Sequence, residues 1–215
     1  MDPAEFIRTN TELLPPPLVP EVRLHLATEI VPLWRRSEEE LEAMGVPPPY
    51  WAFAWAGGQA LARYILDTPK AVAGKRVLDI GSGSGLVGIA AAKAGARSVL
   101  AADIDRYAEA AVQLNAKAND VVVETTTEDM IGRDGDWEII LVGDLCYERP
   151  LTEKLLAWIA NGNRRALLGD PGRSYFPKSG MEQLALYRVQ VTRDLEDREI
   201  RETGVYRLLT GAGPV

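Results

Sequence analysis

Cysteine, histidine and positive charge are scarce in this sequence, and each scarcity excludes a class of function. One cysteine in 215 residues, Cys146, rules out a disulfide within the chain and suits a reducing compartment. The one histidine, His25, reads as a structural or surface residue, and we expect no metal site. Lys and Arg number 24 against 31 Asp and Glu, a net charge of −7, so a nucleic-acid partner is not expected.

Long apolar runs are missing as well. No segment approaches the length of a membrane span, so we expect no membrane partner. Residues 1–6 show neither a signal-peptide core nor the Arg-rich character of a transit peptide, which favours the cytoplasm. The hydrophobic fraction of 47% is enough to give a single domain over residues 1–215 a substantial core. We expect that domain to be monomeric.

The chain divides into two parts by pattern. Residues 1–68 are irregular and proline-rich, and we expect an N-terminal extension that covers substrate and cofactor. Within it we predict a strand over 22–27 and helices over 37–44 and 59–66. Residues 69–215 are expected to form the cofactor-binding core.

Strands and helices alternate through that core. The apolar patterns predict strands at 76–80, 98–103, 121–126, 138–143 and 165–169, and helices at 86–94, 107–118 and 151–160. Such alternation indicates a parallel sheet with helices on both faces. The last two predicted strands, 187–193 and 205–209, leave no room for a helix between them and should pair antiparallel. We therefore expect an α/β fold with a Rossmann-like, mostly parallel seven-strand sheet.

The most informative stretch is Val77–Gly85, which reads Val-Leu-Asp-Ile-Gly-Ser-Gly-Ser-Gly. A short apolar strand leads into Gly81, Ser82, Gly83 and Gly85, where the glycines let the backbone turn sharply and approach a ligand. A helical pattern follows at once. A strand, a glycine turn and a helix N-terminus together form a small-molecule cofactor site.

Asp79 indicates which cofactor the turn suits. Residues 83–88 also satisfy the dinucleotide pattern G-x-G-x-x-G, so a nicotinamide enzyme remains an alternative. A carboxylate two residues before Gly81 would repel a pyrophosphate and attract a cation, and S-adenosylmethionine carries an α-ammonium and a sulfonium. An acid followed by G-x-G-x-G resembles the first motif of the seven-strand S-adenosylmethionine methyltransferases. A carboxylate that only caps the turn would be compatible with both.

The ends of the other parallel strands should hold the remaining working residues, because ligands of open α/β sheets bind there. Asp103, with Ile104 beside it, is expected at the ribose, whereas Asp105 is interpreted as a helix N-cap. The signal after the third strand is weaker: Glu128 or Asp129 could meet the adenine amine, or the pair could be an ordinary polar turn.

Asp144 and Tyr147 follow the fourth strand and could hold an incoming amine. The acid would orient and desolvate the amine and the ring would wall its channel, although Tyr147 could instead pack under the following helix. Cys146 between them is interpreted as a packed small residue. Arg173 and Lys178, after the fifth strand, could touch substrate or lie in a solvated loop.

Three further segments indicate which class of methyltransferase this sequence resembles. Trp51–Tyr64, the Asp-x-x-Tyr spacing of Asp144 and Tyr147, and Gly169–Arg173 resemble segments of the protein-lysine methyltransferases related to the electron transfer flavoprotein β-subunit enzyme. The resemblance implies a seven-strand fold, S-adenosylmethionine as the methyl donor and a lysine of the electron transfer flavoprotein β-subunit as the acceptor. It also implies that Trp55 lies against the cofactor and that Asp144 and Tyr147 line the lysine side.

Two alternatives to that substrate and activity stay open. The acceptor could be a ribosomal protein, and the substrate range could be broad because no separate docking domain is evident in the N-terminal residues. The chain could also be a non-catalytic cofactor-binding module, which the intact Asp-x-x-Tyr pattern disfavours. For the enzyme, the expected reaction is direct in-line displacement by a neutral lysine amine, catalysed mainly by alignment and by exclusion of water.

Overall fold

The computed structural model describes residues 2–28, 47–162, 164–191 and 200–209. The helices are α1 (Pro3–Asn10), α2 (Ala56–Asp67), α3 (Leu86–Lys93), α4 (Arg106–Ala118) and α5 (Arg149–Asn161). The strands are β1 (Glu12–Leu14), β2 (Leu24–Leu26), β3 (Arg76–Ile80), β4 (Ser98–Ala102), β5 (Glu124–Thr126), β6 (Ile139–Gly143), β7 (Ala166–Asp170), β8 (Met181–Gln190) and β9 (Ile200–Leu208). Within these residues no helix is long and apolar enough to cross a membrane.

Seven of the strands form one mixed sheet in the order β5-β4-β3-β6-β7-β9-β8. The first five are parallel, and β9 runs antiparallel to both of its neighbours. This confirms the predicted fold class and the antiparallel C-terminal pair. The chain moves outward from β3 to β5 and then returns to β6 on the other side of β3. The order reverses at β3, which is where open α/β sheets bind ligands.

Alternate side chains of the central strands enter two different cores. Val77 and Leu141 pack in a cluster with residues of α2 and α3, on one face of the sheet. Leu78 and Ile140 pack on the other face, against residues of α5. Because both faces are buried, β3 and β6 read as continuous apolar runs in the sequence. Asp79 is the exception, a carboxylate in the buried stretch of β3.

The predicted boundaries are accurate in the parallel part and less so at the two ends. The strand expected at 76–80 matches β3, and the helix expected at 86–94 ends one residue early. The strand expected over 121–126 is formed only by its last three residues. The C-terminal strands β8 and β9 are longer than predicted because they pair as an edge ribbon, whose half-exposed residues show weak apolar patterning.

The expectation that the N-terminal residues are irregular was wrong in part, since they include α1. Its signals are local: the Asp2 carboxylate caps the helix by accepting the Glu5 N–H, and Pro3 stands at its first position. The predicted strand over 22–27 is β2, and the predicted helix over 59–66 lies within α2. The helix predicted over 37–44 lies outside the described residues.

The N-terminal residues are attached to the core through α4. Phe6 and Trp51 pack against Tyr107, and the Trp51 and Tyr107 rings stack with centroids 6.3 Å apart. The Asn115 side chain accepts the His25 N–H at 2.7 Å and donates to the Ser84 carbonyl at 2.8 Å. These contacts link β2 to the glycine turn and hold the turn at Tyr50–Ala52 beside it.

Candidate active site

The glycine turn between β3 and α3 forms the floor of a surface depression. Gly81, Gly83 and Gly85 all have positive φ, between 50° and 79°, which L side chains rarely adopt. A Cβ on Gly85 would lie 3.0 Å from the Val112 side chain, so this turn needs glycine for space as well as for conformation. The depression encloses about 350 Å³, part of it open to solvent. Its lining comprises Phe53, Trp55, Gly58, Asp79, Gly81, Ser82, Gly83, Ser84, Leu86, Val87 and Gly143.

Asp79 is a buried acid in the wall of this depression. Its Oδ2 accepts the Gly88 N–H at 2.9 Å, and Gly88 permits that approach because a Cβ there would lie 3.1 Å from the same oxygen. Burial, with a smaller effect from Asp103, raises the pKa of Asp79 to about 7. A carboxylate held in this way is stabilised in its charged form by a cation placed beside it. The donor set therefore fits an ammonium-bearing ligand such as S-adenosylmethionine.

Asp103, at the end of β4, is tied to the same turn. Its Oδ2 accepts the Gly83 N–H at 2.9 Å and its Oδ1 accepts the Asp105 N–H at 3.1 Å. Burial raises the pKa of Asp103 above its usual value. Ile104 is 78% exposed, an apolar side chain beside the turn. Asp105 caps α4 by accepting the Tyr107 N–H at 2.8 Å, which confirms its interpretation as an N-cap.

Glu128 and Asp129 lie outside the depression, on the surface beyond β5. Glu128 forms an ion pair with Arg133, and Asp129 accepts a hydrogen bond from the Lys154 Nζ at 2.6 Å. The lysine lowers the pKa of Asp129. An adenine amine approaching either acid would therefore compete with an existing cation, although exposed pairs of this kind are weak.

Asp144 and Arg173 form a partly buried ion pair at the end of β6. The Asp144 Oδ1 accepts from the Arg173 Nε at 2.6 Å, and its Oδ2 accepts the Gly57 N–H at 2.6 Å, at the N-terminus of α2. The Asp144 side chain is 4% exposed and that of Arg173 is 21% exposed. The φ of Asp144 is 64°, a left-handed conformation that Asp tolerates better than most residues. The solvated loop considered for Arg173 does not describe this residue.

Aromatic rings continue from this pair toward solvent. The Arg173 guanidinium lies over the Trp55 ring, 5.9 Å from its centroid. The Tyr50 ring stands 6.1 Å from Trp55 and 6.4 Å from Tyr147, between centroids. Tyr147 is 48% exposed and does not pack under α5, and burial of its inner part raises its pKa. A side chain reaching Asp144 from solvent would pass these rings.

The glycines of the Trp-Ala-Gly-Gly segment let α2 lie directly on the sheet. A Cβ on Gly57 would stand 2.3 Å from the Gly169 carbonyl oxygen, and a Cβ on Gly143 would stand 3.1 Å from the Gly58 Cα. This contact places Trp55, the N-cap of α2, at the mouth of the depression.

Cys146 and Asp170 are buried close to Asp144. Cys146 is buried, and burial raises its thiol pKa to about 12, so no thiolate forms near neutral pH. This confirms its interpretation as a packed residue. The Asp170 Oδ1 accepts the N–H groups of Gly172 and Arg173, each at 2.7 Å, and fixes the loop that carries the arginine.

The sequence-based reasoning missed four features of the site. They are the pairing of Arg173 with Asp144, the support of its loop by Asp170, and the positions of Tyr50 and Phe53. The Gly-Asp-Pro-Gly-Arg segment stands out in the sequence, but it does not indicate that Arg173 pairs with Asp144. The two residues are 29 positions apart. Tyr50 follows a proline run and carries no pattern of its own.

Solved structures share this fold at low identity. Magnesium protoporphyrin IX methyltransferase from Synechocystis, with bound SAM, superposes with a TM-score of 0.55 at 20% identity, over 72% of this chain and 80% of that one. A ribosomal protein L11 methylase from Lactobacillus delbrueckii gives a TM-score of 0.50 at 21% identity, over 72% and 78%. These similarities establish the methyltransferase fold.

Sequence comparison is more specific. Residues 59–142 match the family described as Ribosomal protein L11 methyltransferase (PrmA). The electron transfer flavoprotein beta subunit lysine methyltransferase of Xenopus laevis is 43% identical over 180 residues, 81% of this chain and 72% of that protein. The protein of the same name from Rattus norvegicus is 35% identical over 212 residues, 94% and 82% of the two chains. The chain belongs to the family of electron transfer flavoprotein beta subunit lysine methyltransferases.

Proposed function

We propose that this protein transfers a methyl group from S-adenosylmethionine to a lysine side chain of the electron transfer flavoprotein β-subunit. The observation that carries the proposal is the lining of one depression. Asp79 and the glycine turn line it together with Trp55 and with Gly143, the residue that precedes Asp144. Relatives at 35–43% identity are named as lysine methyltransferases of this β-subunit, which supports the substrate.

On the donor side we assign cofactor contacts to residues of the turn and the strand ends. Asp79 balances the α-ammonium, the glycine turn approaches the ligand through its backbone, and Asp103 accepts from the ribose hydroxyls. Trp55 and Ile104 supply apolar contact, and Asp144 borders the methyl group. One of Glu128 and Asp129 accepts from the adenine amine. The full set is Trp55, Asp79, Gly81, Ser82, Gly83, Gly85, Asp103, Ile104, Glu128, Asp129 and Asp144.

On the acceptor side we assign catalytic roles to Asp144 and Tyr147. When bound, S-adenosylmethionine supplies an electrophilic methyl group on a sulfonium, whose sulfur leaves as a neutral thioether when an amine attacks in line. The target lysine must lose its proton to solvent first, because the lysine pKa is normally about 10.4. Asp144 orients the nitrogen, and the rings of Tyr147 and Trp55 enclose its chain and exclude water.

The proposal also covers the domain organisation, the oligomeric state and the compartment of the protein. We propose one functional domain, with residues 1–68 covering the site and residues 69–215 binding the cofactor, acting as a monomer in the cytoplasm. The acidic net charge and the single cysteine support that setting and argue against nucleic acid as a partner.

Labelling with radioactive S-adenosylmethionine tests the proposal. The purified protein is incubated with the purified electron transfer flavoprotein β-subunit and, in parallel, with cell extract, and labelled lysines are located by mass spectrometry. We expect label on the β-subunit in both reactions. Label found only on a ribosomal protein would show that the proposed substrate is wrong. Cofactor binding without transfer to any protein would indicate a non-catalytic module.

A further inference from the structure

Arg173 is hydrogen-bonded to Asp144, the acid proposed to orient the substrate amine. Its Nε donates to the Asp144 Oδ1, and the other carboxylate oxygen is held by the Gly57 N–H. The carboxylate therefore has a partner at each oxygen, and it also lies at the N-terminus of α2, where the helix dipole favours negative charge. An incoming amine meets a neutralised acid and not a bare one.

That neutrality matters because only the uncharged amine can attack a methyl group. An unpaired carboxylate in a buried site would stabilise the ammonium form of lysine, as opposite charges within a few ångströms do. The lysine would then bind well and react slowly. A carboxylate already paired with a guanidinium offers an ammonium ion little gain, while desolvation at the rings favours the neutral amine.

Other ionisable groups surround the pair. Asp170, on β7, is close enough to Asp144 for mutual repulsion, and burial raises the pKa of Asp170 to about 6. The groups on the remaining packed elements are Cys146, Tyr147 and Glu148 after β6, Tyr50 before α2, Tyr206 on β9 and Asp103 after β4. A pKa of about 6 lies within the range of a rate profile, so Asp170 needs its own control.

We propose that Arg173 is a positioning residue that holds Asp144 and, by neutralising its charge, keeps the target lysine from being trapped in the site as an unreactive ammonium ion. This inference rests on the proposed methyl transfer to lysine. The lysine proton goes to solvent, and the Arg173–Asp144 pair gains and loses none.

Variants of the pair should move the pH dependence of transfer in opposite directions. At saturating S-adenosylmethionine, we expect Arg173→Gln to raise the acidic limb of the kcat profile by about 1 pH unit, because Asp144 loses the positive charge that the guanidinium placed beside it. Asp144→Asn should shift the acidic limb to lower pH, measured on the residual rate of that variant. Arg173→Lys retains the charge and should keep the wild-type limb, even where a changed geometry lowers kcat.

Binding supplies a readout independent of turnover. With S-adenosylhomocysteine present at pH 7, calorimetry compares the substrate protein with a version whose target lysine is replaced by methionine. Wild type should bind the two within about threefold, and Arg173→Gln should bind the lysine version about tenfold more tightly than the methionine version. The Asp170→Asn variant should leave the acidic limb in place.

The outcomes separate the inference from the function on which it rests. Absence of transfer by the wild-type protein overturns the proposed function. Transfer by wild type with the same acidic limb and the same lysine preference in Arg173→Gln overturns the role of Arg173 alone. Loss of the limb in Asp170→Asn would assign the titration to that acid and also overturn it.

Discussion

The proposed donor side and the proposed acceptor side of the site are built in different ways. The donor side, Asp79 to Gly85 with Asp103, comes from one strand–turn–helix segment and the end of the adjacent strand, and its polar contacts run largely to backbone N–H groups. The acceptor side, Trp55, Asp144, Tyr147 and Arg173, comes from three separate segments joined by an ion pair and ring contacts. Cofactor binding thus depends on local backbone geometry, and transfer depends on long-range contacts.

The largest effect is expected at Asp144. Asp144→Ala should abolish methyl transfer, a fall on the order of 1,000-fold or more, because Arg173 loses its carboxylate partner and the amine loses its orienting group. S-adenosylmethionine should still bind measurably. Activity by label transfer and affinity by calorimetry check the two halves.

Two further variants control that experiment. Asp144→Asn tolerates the positive φ and still accepts the Gly57 N–H, so it should lose transfer while remaining folded. Glu148→Gln removes an exposed carboxylate from the same turn and should keep transfer within about twofold. Near-normal turnover in Asp144→Ala would contradict the separation of the two sides.

Asp79→Asn should affect the donor side alone. We expect a loss of cofactor affinity on the order of 10- to 100-fold, the usual cost of a charge-assisted contact, with kcat at saturating cofactor changed far less. Calorimetry and saturation kinetics measure the two quantities. A fall in kcat without a change in affinity would place Asp79 on the acceptor side instead.

The same variant should change how stability responds to pH. The pKa of Asp79 is raised from 3.8 to about 7 in the folded protein, so its protonated form contributes stability below about pH 4 that is lost as the pH rises through 7. Without cofactor, Asp79→Asn should be more stable than wild type by about 4 kcal/mol at pH 8 and equal near pH 3. Denaturant unfolding at both pH values measures this, and a pH-independent difference would contradict the raised pKa.

A pair of neighbouring glycines tests the contact that positions Trp55. Gly57→Ala should lower the free energy of unfolding by about 1–3 kcal/mol, because its Cβ would meet the Gly169 carbonyl. Gly58→Ala is the matched control, since a Cβ there would find its nearest neighbour 3.9 Å away. Its stability should stay within about 1 kcal/mol of wild type. Equal losses in both variants would indicate a general intolerance of α2.

The smallest effect is expected beyond β5. Of Glu128→Ala and Asp129→Ala, the variant that removes the acceptor of the adenine amine should weaken cofactor binding about three- to tenfold, the range of an exposed hydrogen bond. The other should leave it unchanged, and calorimetry distinguishes them. Two unchanged affinities would remove both acids from the site.

The features that can be predicted from the sequence lie mainly on the donor side, and those that cannot lie mainly on the acceptor side. The turn at Gly81–Gly85 and the cap at Asp105 depend on residues a few positions apart, so their patterns carried the information. The pairing of Asp144 with Arg173 joins positions 29 residues apart, and no local pattern encodes it. The sequence predicts the edge strand β8 only in part, because exposure of one face weakens the pattern of apolar residues along the strand.

The most direct test of the two-sided site is a crystal structure with S-adenosylhomocysteine bound. We expect the amino group of this ligand to lie beside Asp79 and its ribose hydroxyls at Asp103. Its sulfur should face Trp55 and the Asp144–Arg173 pair. A ligand whose sulfur faces away from Asp144 would contradict the account, because the lysine would then have no route to the methyl group past Tyr147.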